Sequence, residues 1–107
     1  MNSMVGRLLD APFELVARLR RVTPDDHEFF SAVSERGLSS GDLRTDAALG
    51  HALVSSLDHG VTVREILGQL PMHDVWVAAE QQEFLRLAVQ TYSPTLLDAV
   101  EAQLREL

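Results

Sequence analysis

The sequence predicts an all-α protein, a compact bundle of five to six short helices with orthogonal or irregular packing. Three observations predict it. Leu and Ala dominate the apolar residues and Ile66 is the single isoleucine, so the core is drawn from helix formers more than from β-branched strand formers. Pro, Gly and capping residues cut the chain at regular intervals into helix-length pieces. No segment sustains the period-two alternation of a half-buried strand, and neither a hairpin dipeptide nor an internal repeat occurs.

Taken in order, Asp10 can cap and Pro12 fits a first turn, so a helix from about Ala11 to Val22 follows a short turn at Met4–Leu9; a continuous helix kinked at Pro12 is the alternative. Thr23-Pro24-Asp25-Asp26 is a helix start. Thr23 is the N-cap, Pro24 has its φ preset, and two carboxylates sit in the positive first turn. That helix should run to Arg36, with Gly37 as the left-handed cap and Leu38 as its apolar contact.

Ser39–Asp42 forms the next loop and cap. Leu43, Leu49, Leu53, Val54 and Leu57 then lie mostly on one side of a helix ending at His59 before Gly60. Gly50 inside it costs about 1 kcal/mol relative to Ala, which marks it as a candidate close helix crossing. Thr62 and Glu65 have capping-box spacing and open a short helix closed by Pro71. Asp74 should cap a longer helix to about Thr91. Ser93-Pro94 should start the last one, with Leu97, Val100, Leu104 and Leu107 recurring at three and four residues and Glu101 paired to Arg105 on its outer side.

At 107 residues the chain reads as one helical domain, 1–107, of globular composition: 46% hydrophobic and 23% charged. The longest stretches free of charge, Ala47–Leu57 and Leu87–Leu97, are too short for a membrane span, and the N-terminal segment does not read as a signal peptide. A cytoplasmic protein is expected. With no cysteine, disulfides, thiolate metal sites and cysteine nucleophiles are excluded. All nine basic residues are Arg, a bias suggesting a GC-rich bacterial genome.

The net charge of −7 disfavours nucleic acid as a partner, because phosphate neutralisation needs clustered cations. Residues 1–22, however, hold four Arg against two acids, whereas residues 23–107 hold five Arg against fourteen. Arg18, Arg20 and Arg21 are therefore the candidate anion-binding cluster, set against a simpler role as cations complementing a helix C-terminus.

No catalytic, metal or cofactor site is predicted. His51 and His59 stand eight apart, about 12 Å along a helix, too far to share an ion. Ser55, Ser56, Asp58 and His59 place triad residue types in five positions without a nucleophile elbow or oxyanion loop. Asp25, Asp26 and Glu28 are explained as first-turn carboxylates. Gly37–Gly41 lacks the Lys-Ser/Thr of a phosphate loop.

Two surfaces remain. Met72, Val75, Trp76 and Val77 make a helix start that is apolar all round, and Leu97, Val100, Leu104 and Leu107 form a seam reaching the last residue. Each is core or partner surface. Phe29, Phe84 and Tyr92 read as core or core edge. The expectation is a non-enzymatic protein–protein interaction module, an adaptor, chaperone-like protein or regulatory or assembly subunit, binding another protein or a second copy of itself. The alternatives are an acidic immunity- or inhibitor-type protein with a basic partner, and weak nucleic-acid binding through the N-terminal Arg cluster.

Overall fold

A computed structural model of the chain describes residues 21–70 and 76–107. Within them the protein is all-helical: α1 (Pro24–Glu35), α2 (Leu43–Asp58), α3 (Val63–Gln69), α4 (Ala78–Tyr92), a 3-10 turn (Pro94–Leu96) and α5 (Leu97–Arg105), packed as a five-helix bundle. Of the helix expected over Ala11–Val22, residues 11–20 lie outside the described residues, and Arg21 and Val22, its expected end, are not helical; Pro71, Met72, Asp74 and Val75 also lie outside the described residues.

The caps explain the boundaries. Thr23 caps α1: its hydroxyl accepts from the Asp26 amide while the Asp26 carboxylate reaches back to the Thr23 amide at 2.9 Å, a reciprocal box with Pro24 in the first turn. Gly37 follows with φ +73°, and the Leu38 amide returns to the Val33 carbonyl at 2.8 Å, which buries Leu38. Asp42 caps α2 through the Thr45 amide, and Thr62 with Glu65 caps α3.

Two expectations are corrected in the second half. The fourth helix begins at Ala78 instead of following a cap at Asp74, so Trp76 and Val77 precede it. Glu80 reaches back to the Val77 amide at 3.1 Å and Gln81 donates to the Trp76 carbonyl, which supplies the entry without a capping side chain at Val77. Glu101 pairs not with Arg105 but with Arg86 of α4, Nε to Oε at 2.8 Å, because a cross-helix guanidinium lies closer than the one on its own helix. Ser93 makes no side-chain cap bond, and Pro94 opens a 3-10 turn that leads into α5.

The core draws on every helix, centred on Phe29, Leu53, Ile66, Phe84, Leu85 and Val89. α4 packs against both α1 and α2, while α5 closes the other side against α3 and α4. At Gly50 α2 lies tight against Phe29 and Tyr92. A Cβ built there would lie 2.8 Å from ring carbons of both Phe29 and Tyr92, so the glycine exchanges helix propensity for the approach.

Gly50→Ala is therefore expected to destabilise, although the same change in an open helix stabilises by about 1 kcal/mol. Overpacking against two aromatic rings costs about 1–3 kcal/mol, read as a lower midpoint in chemical denaturation; an unchanged or raised midpoint would refute the close crossing.

Candidate functional site

The most elaborate polar feature is built on Asp26. Its position as the third residue of α1 points its carboxylate back over the helix N-terminus, where the side chain is fully buried. Oδ2 accepts from the Thr23 amide. Oδ1 accepts from the Tyr92 hydroxyl at 2.8 Å and faces His51 Nε2 at 2.9 Å. A carboxylate oxygen only accepts, so the contact assigns the proton of the imidazole to Nε2. One buried anion thus joins the start of α1, the middle of α2 and the end of α4.

Burial pushes the Asp26 carboxyl up, but the Thr23 amide, the Tyr92 hydroxyl and His51 together outweigh it, and the group is held below its ordinary value of 3.8. Tyr92 moves the other way. Burial, then its bond to the Asp26 carboxylate and that group's charge, raise the phenol far above its usual range, so it remains a donor.

The rings extend this cluster into the core. His51 stacks on Tyr92 with centroids 4.0 Å apart, Tyr92 tilts against Phe29 at 5.3 Å, Phe29 meets Phe84 edge-on at 5.3 Å, and Phe84 contacts Trp76 at 5.0 Å. The chain of rings begins at a half-exposed imidazole and ends at a half-buried indole. A carboxylate that fixes an imidazole is one half of an acid–base relay. Here every bond made by Asp26 goes to a helix of its own bundle, and the geometry accounts for it as a structural tie.

The other sequence candidates fall apart in space or are used locally. His59 Nδ1 contacts the Ser55 carbonyl at 2.7 Å, closing the end of α2, while the Ser56 hydroxyl is buried and has no hydrogen-bond partner among the described residues. Among the described residues no three His, Asp or Glu side chains gather as a metal-holding group, and no helix is long and apolar enough to cross a membrane. Arg21 is exposed; Arg18 and Arg20 lie outside the described residues. Asp46, unremarked in the sequence, is buried and holds the α1–α2 loop through the Ser39 hydroxyl at 2.6 Å and the Ser40 amide at 3.0 Å.

The C-terminal seam divides. Val100 and Leu104 are buried in the domain's own core, Leu97 is half-buried, and Leu107 is 49% exposed. Beside them runs a groove formed by two adjoining depressions that share Thr62 and Gln103. One, of about 190 Å³, is lined by apolar residues including Leu57, Val61, Leu96, Ala99 and the edge of Val100; the other, of about 270 Å³, continues past Arg64 to Glu106 and Leu107. Gln103 holds the two walls together, accepting from the Val63 amide at the start of α3 at 2.9 Å. Ala99 and Gln103 of α5, together with Leu107 just beyond the helix, line these depressions, one step around from the buried Val100 and Leu104.

Comparison with protein-family models, with curated proteins and with solved structures gives no match for this chain.

Asp26 has a lower pKa folded than unfolded, so its contribution to stability is fully present above the unfolded value, near 3.8, and is lost as pH falls through the folded value. Asp26→Asn is expected to remove this component of acid unfolding and to cost about 1.5–3 kcal/mol near neutrality, the scale of hydrogen bonds to a charged group. Denaturation midpoints measured from pH 2 to 7 check it; parallel wild-type and variant curves across that range would rule out the linkage.

Proposed function

We propose that this chain is a non-enzymatic protein–protein interaction module, acting as an adaptor or as a regulatory or assembly subunit through the groove between the α2–α3 turn and α5. The observation that carries the reading is the groove's make-up. A mainly apolar depression lined by Leu57, Val61, Leu96 and Ala99 adjoins a more polar one lined by Thr62, Arg64, Gln103 and Glu106, and protein interfaces likewise combine apolar with polar surface. Its walls are tied by Gln103 to α3 and by the Glu101–Arg86 pair to α4, so the surface is presented without the entropy cost of ordering it on binding. A cytoplasmic setting belongs to the same reading, and a cysteine-free chain is compatible with it.

A second reading, an acidic protein binding a basic partner, is favoured by the surface charge. Asp25, Glu28, Glu35, Asp42, Asp58, Glu80 and Asp98 are exposed, while Arg36 and Arg86 are engaged with Glu83 and Glu101. Such a partner would be steered electrostatically, and binding through it would weaken steeply with salt.

Ala99→Glu tests the groove. Ala99 is exposed on α5, so the fold and its melting temperature should be unchanged. Association with a protein, measured as capture from the source cell's lysate and as self-association by light scattering, should weaken at least about tenfold when a charge enters the apolar depression. Equal association by wild type and variant in both assays, or none by either, would refute the reading.

A further inference from the structure

The wider end of the groove carries one cation and one anion that are not used inside the domain. Arg64, in the first turn of α3, and Glu106, just past α5, are both exposed and line the same depression beside the exposed Leu107. Among the described residues neither forms an ion pair or side-chain hydrogen bond, whereas Arg36, Arg86 and His51 are each engaged with a carboxylate. An arginine and a glutamate exposed on the lining of one depression, next to the apolar one, give that surface charges of both signs and let it complement a second copy of itself. When two identical copies meet about a two-fold axis, residue i of one faces residue j of the other and the reverse holds at once.

We infer that the occupant of the groove is a second copy of this chain, paired two-fold so that Arg64 of each copy meets Glu106 of the other while Leu107 and the Ala99 face of α5 come together. The inference rests on the groove being a protein-binding surface, and it names the partner. Charge decides between the candidates. Two molecules each carrying −7 repel at long range, so their contact must fall where opposite charges can be matched locally. A basic partner would find Arg64 opposing it in the groove, and an acidic one would meet Glu106 there and a net-negative chain around it. A second copy matches both residues.

The test uses two charge-reversal variants, Arg64→Glu and Glu106→Arg, in the full chain. Both positions are exposed, so thermal melting checks that the fold is retained. Sedimentation equilibrium of the wild type should show a monomer–dimer equilibrium. Each variant alone places like charges across both contacts and should dimerise at least about tenfold more weakly, on the scale of exposed charge pairs changing sign twice. Mixed together, the two variants regain both attractive contacts and should form a heterodimer about as strong as the wild-type dimer, detected with one variant fluorescently labelled. A wild type that remains monomeric, single variants that dimerise like the wild type, or a mixture that fails to associate would each overturn the pairing. If the wild type is monomeric yet captures a different protein that Ala99→Glu loses, the groove stands as a binding surface and only its occupant is wrong.

Discussion

The arrangement of the first, second and fourth helices depends on one buried carboxylate. Asp26 carries a charge into the protein interior, a step that costs several kcal/mol unless its oxygens are bonded. Three donors, the Thr23 amide, the Tyr92 hydroxyl and His51 Nε2, converge to meet that need, and each comes from a different part of the chain. Removing one leaves the others around an under-bonded anion. Apolar contacts along the same helices could slide by part of a turn and lose little, whereas this contact tolerates only a few tenths of an ångström. It therefore fixes the register in which the bundle packs.

The ring chemistry follows from that register. For His51 to reach Asp26 and stack on Tyr92, the α2 backbone must lie directly against the rings of Phe29 and Tyr92, and residue 50 is where it does so. Only glycine leaves room. Gly50 and His51 are thus one device: the first admits the approach and the second uses it. Phe29 and Phe84 then extend the contact to Trp76, which explains why an indole outside the helix is still held on the core.

Those parts of the fold that rest on local chemistry were legible in the sequence. Thr23, Asp42 and Thr62 cap as their spacing requires, Gly37 and Gly60 take positive φ after their helices, and the oddity of Gly50 pointed to a close crossing. What could not be read depends on contacts distant in sequence. Asp26 looked like one more first-turn carboxylate, because nothing within several residues indicates that Tyr92, 66 positions away, donates to it. Glu101 had a suitable arginine four residues on, yet a guanidinium from another helix took it. The late start of α4 escaped notice because Asp74 has the chemistry of a cap, whereas the actual entry uses Glu80 and Gln81 reaching backward.

The same distinction between local pattern and tertiary contact governs the surface. Periodicity correctly located an apolar last helix but could not divide its residues between the domain and a partner, since a stripe of Val100 and Leu104 serves either purpose. Packing against α3 and α4 shows where the stripe goes: Val100 and Leu104 fill the core, while Ala99 and Gln103, with Leu107 beyond the helix, line the groove. Gln103 is the hinge of the arrangement. Its carbonyl satisfies an amide at the start of α3 that would otherwise lack a partner, and in doing so it sets the separation of the groove's two walls. A helix only nine residues long would fray if left to its own hydrogen bonds; anchored by Gln103 and by Glu101, it offers a rigid edge. The polar contacts that stabilise the end of the bundle thereby also shape the groove on which the proposed function rests.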